Sequence, residues 1–314
     1  MKIVFAEPLG VSEELLKNAK VHFESLRHEF IYFLERDDSA QEIINRAKDA
    51  DILTLSNIHV GSEIIENCPK LKFINVAFTG TDHIDIDLCR KKGINVCNAA
   101  GYSTVAVSET VLGLALSLLR KIPEMDSKTR IPADRSGFLG TELNSKIVGI
   151  VGTGAIGTAT AKLFNAFGCK VIAWSRTKKQ LDFINYVELD ELFGLSDIIS
   201  LHIPAIDETE NLINKTLLSK MKPNAVIINT ARARIIDYHA LAELLKSNKI
   251  TGAAIDIYEK EPPLSKDHPL LSAPNTVLVP HIAYATKEAM LKRFDIAVSN
   301  IDWFFKGEIK NKIV

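Results

Sequence analysis

Several charged residues stand directly after apolar runs of the sequence. Arg232 follows VIINTA, and His281 follows TVLVP. Asp256 follows GAAI, with Glu261 shortly after it. Such runs of Val, Ile and Ala predict buried strands. Because ligands bind beyond the carboxyl ends of strands in an open parallel sheet, we expect these side chains at one edge. An arginine, a carboxylate and a histidine there could hold an anion and move a proton.

A glycine loop in the segment KIVGIVGTGAIG indicates what else this edge could bind. Gly152 would permit a tight turn, Gly154 would let a pyrophosphate approach the backbone, and Gly157 would let the following helix pack on the strand. The first amides of that helix, at Ala155 and Ile156, would face the phosphates. Since the motif lies between an apolar strand and a helix, it predicts a dinucleotide cofactor.

The segment AWSRTKK suggests which dinucleotide is bound. Ser175 stands where an acid would bond the ribose 2′-hydroxyl of NAD and repel a 2′-phosphate. Arg176 can form a bidentate pair with a phosphate, and Thr177 with the lysines after it adds donors and charge. We therefore predict NADP(H) as the preferred cofactor, with NAD(H) possible. A solvated basic loop over a permissive NAD site is the alternative.

At a nicotinamide site these residue types indicate carbonyl reduction. Arg232 would clamp a substrate carboxylate and polarise the adjacent carbonyl group. His281 would donate a proton to the oxygen as hydride reaches the carbon. Glu261, bonded to the other imidazole nitrogen, would fix the tautomer and favour the charged ring. Singly, each residue also suits a surface cation, a solvated turn or a packed histidine, so the prediction depends on all three meeting.

Two series of alternating strands and helices must position these residues. In the first hundred residues, Ser12, Ser39 and Ser62 are predicted helix N-caps, and Gly93 is a predicted C-terminal stop. A long apolar helix, STVAVSETVLGLALSLLRKI, precedes an irregular arm over 123–145 and then the second series. Strands alternating with helices predict a parallel sheet in each series. The strands we predict are KIVFA, DILTLSN, LKFINVAF and INVCNA, then KIVGIVG, KVIAWS, DIISLHIP, NAVIINTA, TGAAID and TVLVPHI.

Composition excludes several classes of protein. A chain of 314 residues suggests two domains, and a formal charge of −1 gives no support for nucleic-acid binding. No apolar run approaches the ~20 residues that span a bilayer, and MKIVFAEPLG predicts a first strand rather than a signal peptide. The four cysteines show no metal-ligand spacing, so we predict no metal site and a reducing compartment, the cytoplasm.

The chain resembles the D-isomer-specific 2-hydroxyacid dehydrogenases over nearly all of its length. The resemblance rests on FTGTDHID, VSETVLGLALSLLR, VGTGAIG, LSDIISLHIP, INTARA, GAAIDIYEKEPP and PHIAYAT. It implies an α/β protein of two doubly wound parallel-sheet domains with the active site in the cleft between them. A flavodoxin-like substrate domain would comprise 1–100 and 287–314, and a Rossmann cofactor domain would comprise 101–286. It also implies a homodimer assembled through the cofactor domain.

The resemblance assigns roles to individual positions. Arg232 would bind the substrate carboxylate, His281 would be the proton donor beside the cofactor, and Glu261 its partner. Thr79 and Gly80 would meet the substrate carboxylate through backbone amides, a role that a Thr-Gly turn at a strand end also suits as an anion nest. Further residues would contact the dinucleotide, with Asp256 near the nicotinamide amide and the others flanking the cofactor: Pro204, Thr230 and, as weaker candidates, His202 and Thr209.

Departures from the family pattern indicate a branch. Ala233 and Arg234 follow Arg232 where the family usually has Gly-Gly or Gly-Ala. Ala283 and Tyr284 follow the histidine segment as in the glyoxylate/hydroxypyruvate reductase and glycerate dehydrogenase branch. The resemblance therefore implies reduction of a small 2-keto acid to the D-2-hydroxy acid with NADPH.

Two other functions stay open. The first is an NAD-dependent dehydrogenase of the D-lactate or phosphoglycerate type, although phosphoglycerate would need further cations near Thr79. The second is a dinucleotide-sensing binding protein without turnover. A formate-type enzyme is disfavoured because Glu261 stands where that branch carries glutamine.

Overall fold

The computed structural model describes residues 1–131, 134 and 136–314, and the chain divides into two compact units. The first unit comprises Met1–Ser103 and Ala285–Val314, and the second comprises Thr104–Tyr284. The boundaries expected from the sequence lay at 100/101 and 286/287. The predicted arm over 123–145 includes three residues, 132, 133 and 135, that lie outside the described residues.

The first unit is built on a five-stranded parallel sheet in the order β2-β1-β3-β4-β5. This order is that of flavodoxin-like folds. Its strands are β1 (Lys2–Phe5), β2 (Glu29–Tyr32), β3 (Ile52–Leu55), β4 (Phe73–Val76) and β5 (Asn95–Asn98). Its helices are α1 (Glu13–Ser25), α2 (Ala40–Ala47), α3 (Ser62–Asn67), α4 (Ile86–Lys92) and, from the end of the chain, α11 (Lys287–Phe305).

The C-terminal helix α11 completes the core of the first unit. Phe294 on this helix packs edge-on against Phe5 of β1, with ring centroids 6.2 Å apart, and Phe5 also contacts Phe30 of β2. Burial of such aromatic rings stabilises the contact by area and by ring geometry. The helix is therefore an integral layer of the first unit, although a whole second unit separates it from β5 in the sequence.

A buried asparagine network links α11 to the middle of the sheet. The side-chain amide of Asn300 donates to the Asn75 side-chain oxygen at 3.1 Å and to the Asn98 backbone carbonyl at 3.0 Å. Asn75 in turn donates to the Ala297 carbonyl at 2.8 Å. Asn75 and Asn300 are almost completely buried. Because buried polar groups are costly unless paired, this network fixes the position of the helix on the sheet.

The second unit contains a seven-stranded parallel sheet in the order β12-β11-β10-β9-β6-β7-β8. Its strands are β6 (Ile147–Val151), β7 (Lys170–Trp174), β8 (Ile184–Tyr186), β9 (Ile198–Leu201), β10 (Val226–Asn229), β11 (Gly252–Ile255) and β12 (Thr276–Leu278). Its helices are α5 (Thr104–Arg120), α6 (Ile122–Thr129), α7 (Ala155–Ala166), α8 (Leu189–Leu195), α9 (Lys215–Leu218) and α10 (Tyr238–Lys246), with 3₁₀ turns at Asp207–Thr209, Ala233–Ile235 and Pro269–Ser272.

The strand order reverses between β6 and β9, which are neighbours in the sheet although β7 and β8 separate them in the chain. Such a reversal leaves a crevice beyond the carboxyl ends of the two strands, where ligands bind in open α/β sheets. The predicted fold class, two doubly wound parallel-sheet domains, is confirmed.

Some local predictions were wrong. Ser62 is the first residue of α3, and Gly61 is its N-cap, whereas Ser39 accepts from the Glu42 amide as expected. Ser12 caps α1 in position but makes no side-chain cap bond, and Gly93 ends α4 with φ +70° as predicted. Strands β2 and β8 were not predicted, because EFIY and INY are too short to carry a period.

The arm predicted to be irregular begins with helix α6. Lys121, with φ +49°, separates α6 from α5, and a proline stands in the first turn of α6, where its missing N–H costs nothing. Among the described residues, no helix has the length and apolarity to span a bilayer.

Replacing the buried Asn300 should destabilise the protein more than replacing an exposed asparagine. Asn300→Ala would leave the side-chain oxygen of Asn75 and the carbonyl of Asn98 without their donor. We expect a loss of about 2–4 kcal/mol in the free energy of unfolding, measured by urea denaturation. The control Asn45→Ala, on the exposed face of α2, should change it by less than about 0.5 kcal/mol. Equal effects of the two substitutions would contradict a structural role for the network.

Candidate active site

The glycine loop follows β6 in the crevice of the second unit. Gly152 has φ +99°, and a Cβ there would lie 2.6 Å from the His202 carbonyl oxygen. A Cβ on Gly157 would lie 2.0 Å from the Gly152 oxygen, so only glycine permits this approach of α7 to the strand end. A Cβ on Gly154 would meet no atom within 4 Å. Gly154 therefore borders open space in which a ligand can approach the backbone.

Helix α7 begins directly at this open space. Gly154 is its N-cap, and Ala155 and Ile156 are its first residues. The first amides of a helix have no partner within it, and they carry the positive end of its dipole. The geometry therefore suits a pyrophosphate group, as expected from the sequence.

The basic segment after β7 lies next to this loop. The Ser175 hydroxyl accepts from the Thr153 amide at 3.3 Å, which ties the end of β7 to the glycine turn. Arg176, Lys178 and Lys179 are exposed, and their side chains form no ion pair with another described residue. Three positive charges within four residues repel one another, and a bound anion would reduce that repulsion.

The segment after β9 contains three residues expected near the cofactor. The Thr209 hydroxyl donates to the Pro204 carbonyl at 2.6 Å and accepts from the Ile206 amide at 3.0 Å, so it closes its own loop. The His202 ring lies 2.8 Å from the Ser200 hydroxyl, and burial lowers the pKa of His202 to about 3. The neutral form of the His202 ring is therefore favoured.

The carboxyl end of β10 carries Thr230 and Arg232. The Thr230 hydroxyl oxygen is buried and has no hydrogen-bond partner among the described residues, which suits contact with a bound molecule. Asn229 accepts from the Ala231 amide at 3.0 Å and donates to the Arg232 carbonyl at 2.9 Å. Arg232 is half-buried, and its guanidinium donates to the Ala231 carbonyl at 2.7 Å.

Asp256, at the end of β11, anchors the segment that carries His281. Its carboxylate accepts from the Ile282 amide at 2.7 Å and the Ala283 amide at 3.1 Å, and its carbonyl accepts from the His281 amide at 2.9 Å. The side chain is almost completely buried, and this burial raises the pKa of Asp256. Three bonds from one residue thus fix a loop whose histidine has φ +55°, a conformation that few side chains adopt.

His281 and Glu261 form a close pair. Nδ1 of His281 lies 2.7 Å from Oε1 of Glu261, and the ring packs edge-on against Tyr284 with centroids 5.2 Å apart. The histidine side chain is 15% exposed, and the glutamate is 60% exposed. A carboxylate on Nδ1 orients the imidazole and leaves Nε2 as the nitrogen that can exchange a proton with a reactant.

In the first unit, the Thr79–Gly80 turn follows β4. The side-chain amide of Asn98 donates to the Thr79 carbonyl at 2.7 Å and so holds the turn. The backbone N–H groups of Thr79 and Gly80 donate to no acceptor in the part of the chain that the structure describes. This is the arrangement expected of backbone donors to an anion.

The sequence analysis did not predict the residues that position the loops of the site. Asn229 also donates to the Tyr238 hydroxyl at 3.0 Å, and that hydroxyl donates to the Ile257 carbonyl at 2.6 Å. Tyr238 thereby connects the Arg232 segment to the segment after β11. An asparagine that ends a buried strand was the available signal for Asn229, whereas no local signal marks Tyr238 as its partner.

Comparisons with known proteins show which family the chain is similar to. The family model of the "D-isomer specific 2-hydroxyacid dehydrogenase, NAD binding domain" matches residues 112–283, more than half of the chain. A glyoxylate reductase of Thermofilum pendens is 38% identical over 88% of this chain and 84% of its own length. A hydroxypyruvate reductase of Blautia hydrogenotrophica is 35% identical over 87% of this chain and 88% of its own.

A solved structure of an acyclic imino acid reductase (Bsp5), in complex with NADPH and D-Arg, has a TM-score of 0.91 and 33% identity, and the match covers 100% of each chain. The resemblance stated from the sequence motifs is confirmed. The chain therefore belongs to the family of D-isomer-specific 2-hydroxyacid dehydrogenases, and it is an NAD(P)-dependent enzyme.

Proposed function

We propose that the protein reduces a small 2-keto acid of the glyoxylate or hydroxypyruvate type to the D-2-hydroxy acid, with NADPH as the preferred reductant. The observation that carries this proposal is the His281–Glu261 pair, with 2.7 Å between Nδ1 and Oε1, on the sheet edge that also carries the glycine loop and Arg232. An oriented acid, a guanidinium and a dinucleotide loop are the components that carbonyl reduction needs.

In the proposed mechanism, Arg232 binds the substrate carboxylate and polarises the adjacent carbonyl group. Bound reduced nicotinamide supplies the hydride that reaches the carbonyl carbon. His281 transfers its proton from Nε2 to the carbonyl oxygen, so that the product is a neutral hydroxyl group. Glu261 balances the charge of the protonated ring and, after Nε2 has given up its proton, holds the remaining proton on Nδ1. Thr79 and Gly80 are the proposed backbone donors to the substrate carboxylate.

The dinucleotide would be held by the residues of the crevice. Gly152, Gly154 and Gly157 shape the turn, and the amides of Ala155 and Ile156 face the pyrophosphate. Ser175, Arg176 and Thr177 would meet the adenosine ribose and its 2′-phosphate. The remaining proposed contacts are Pro204, Thr209, Thr230, Asp256 and His281. Because Asp256 already uses both carboxylate oxygens on backbone amides, we assign it mainly to holding the His281 segment.

The preference for NADPH is supported by charge. Ser175 brings no carboxylate to repel a 2′-phosphate, and the three cations after it have no carboxylate partner among the described residues. The similar imino acid reductase was solved with NADPH. Relatives named glyoxylate reductase and hydroxypyruvate reductase support the substrate class. The D-lactate and phosphoglycerate types, with NAD, are the second choice within the same chemistry.

We also propose a homodimer and a cytoplasmic location. Val105, Ile122, Ile131 and Leu139, on α5, α6 and the arm, are 52–93% exposed, which is unusual for so many large apolar side chains on one stretch. All four cysteines are unpaired and buried, as suits a reducing compartment.

Initial rates with a substrate panel test the proposed function. Glyoxylate, hydroxypyruvate, pyruvate, 3-phosphohydroxypyruvate and bulkier 2-keto acids should each be measured with NADPH and NADH. A further assay with a 2-keto acid and an amine tests reduction of a C=N bond, the activity in the name of the similar imino acid reductase. We expect the highest kcat/KM for glyoxylate or hydroxypyruvate with NADPH. Tight NADPH binding without turnover of any compound would favour the sensing protein instead.

Substitutions of the histidine pair should separate the proton donor from its partner. His281→Gln should lower kcat for reduction by about 10²–10⁴-fold, the usual contribution of a general acid. The control His239→Gln changes an exposed histidine on α10 and should leave kcat unchanged. In Glu261→Gln the Nδ1 atom of His281 loses its carboxylate partner, so kcat should fall, but by less than in His281→Gln. A kcat for Glu261→Gln equal to that of the native enzyme would contradict the assigned pairing.

A methyl group at Gly154 should weaken dinucleotide binding without unfolding the protein. Gly154→Ala fits the folded chain, since its Cβ meets no atom within 4 Å, but it occupies the space reserved for pyrophosphate. We expect the Kd for NADPH, measured by fluorescence titration, to rise at least about tenfold, ~1.4 kcal/mol. The control Gly194→Ala on α8 meets only one atom, at 4.0 Å, and should bind normally. Unchanged affinity in Gly154→Ala would place the phosphates elsewhere.

Exchange of charge at the ribose should reverse the cofactor preference. Ser175→Asp with Arg176→Ala adds a carboxylate and removes a bidentate cation, so the ratio of kcat/KM for NADPH to that for NADH should fall on the order of 100-fold. The control pair Ser219→Asp with Lys220→Ala makes the same change in net charge before the amino end of β10 and should leave the ratio intact. A preference for NADPH that survives the first pair would show that AWSRTKK does not bind the 2′-phosphate.

A further inference from the structure

The phenol of Tyr186 joins the two loops assigned to the phosphates of the cofactor. Tyr186 is the last residue of β8, the edge strand of the second sheet. Its hydroxyl donates to the Thr153 hydroxyl oxygen at 3.1 Å and accepts from the Lys179 amide at 3.0 Å. One side chain therefore bonds the glycine turn on one side and the basic segment on the other.

Thr153 gives this contact a rigid base. It is the middle residue of the Gly152–Gly154 turn and is 1% exposed. Its amide donates to the Ser175 hydroxyl at 3.3 Å, and its carbonyl accepts from the Thr158 hydroxyl at 3.1 Å. A buried threonine bonded from several sides cannot move independently of the turn. The position of Tyr186 is therefore fixed relative to the pyrophosphate site.

The basic segment, by contrast, has little else to hold it. Residues Arg176–Gln180 are exposed and have no regular secondary structure. The bond from the Lys179 amide to Tyr186 is the one hydrogen bond that this segment makes with the rest of the described chain. Without that bond, ordering the segment around an anion would cost backbone conformational entropy at the moment of binding.

The strand pairing explains why this tyrosine can reach both loops. Tyr186 pairs with Ala173 of β7, two residues before Ser175, so its backbone lies beside the end of the strand that leads into the basic segment. A phenol is long enough to carry a hydroxyl from the edge strand to the turn after β6. Phenylalanine at this position would keep the ring and lose both bonds.

We propose that Tyr186 is a positioning residue for NADP(H), which presets the basic segment for the 2′-phosphate. This inference rests on the proposed preference for NADP(H). Tyr186 needs no contact with the cofactor, because it acts through Lys179 and Thr153. Its effect should therefore fall on binding of the 2′-phosphate and only weakly on the pyrophosphate, which NAD(H) and NADP(H) share.

The test compares cofactor affinities of Tyr186→Phe with those of the matched control Tyr32→Phe, whose hydroxyl bonds Glu13 at 3.4 Å in the first unit. The Kd for NADPH of Tyr186→Phe should rise about 5–30-fold, as expected for lost preorganisation, and the Kd for NADH less than about 3-fold. Tyr32→Phe should change neither. Equal weakening of both cofactors, or no weakening, would overturn the positioning role; circular dichroism and a thermal melt show whether the variant is folded.

A double-mutant cycle supplies a second readout. If Tyr186 acts through the basic segment, then Tyr186→Phe should lose most of its effect on NADPH binding in an Arg176→Ala background. Additive effects would contradict the inference. If the unsubstituted protein binds NADPH no tighter than NADH, the proposed cofactor preference itself fails. That outcome is distinct from a protein that prefers NADPH but is indifferent to Tyr186.

Discussion

The parallel direction of all seven strands in the second unit is the constraint on which the site depends. Because the strands run the same way, the glycine loop, Thr230, Arg232, Asp256 and the His281 segment all emerge at one edge. The reversal of strand order between β6 and β9 opens that edge for a ligand. A single inverted strand would carry its terminal residue to the opposite edge, so the direction of the sheet gathers these groups before any side chain makes a contact.

At that edge, the buried polar side chains of Asp256 and Asn229 bond backbone groups of the loops. Asp256 bonds three amides of the His281 segment, and Asn229 bonds the Ala231 amide and the Arg232 carbonyl. Burial makes each of these bonds costly to break, because an unpaired buried group loses the water it would otherwise bind. These bonds constrain the backbone of the loops that carry the reactive side chains, which lowers the entropy that binding would otherwise cost.

Features that depend on local sequence patterns could be predicted, whereas contacts between residues far apart in the chain could not. The glycine loop and the apolar strands have spacings that can be recognised directly, and they predicted a parallel sheet in each series. The two doubly wound domains were what the family resemblance implied. The three-residue strand β8 has no readable period, and Ser62 and Gly61 are both acceptable caps, so local rules could not choose between them. The bonds of Asn300 to Asn75, and of Tyr186 to Thr153, join residues far apart in the chain, and only the folded structure brings them together.

The proposed function requires that this chain transfers hydride from NADPH to the carbonyl carbon of a 2-keto acid. Incubation with glyoxylate and NADPH deuterated at both C4 positions tests it directly, with the glycolate formed analysed by mass spectrometry. We expect one non-exchangeable deuterium on the hydroxyl-bearing carbon, and none when unlabelled NADPH is used in D₂O. Glycolate without label from the deuterated cofactor, or bound NADPH that yields no glycolate, would contradict it.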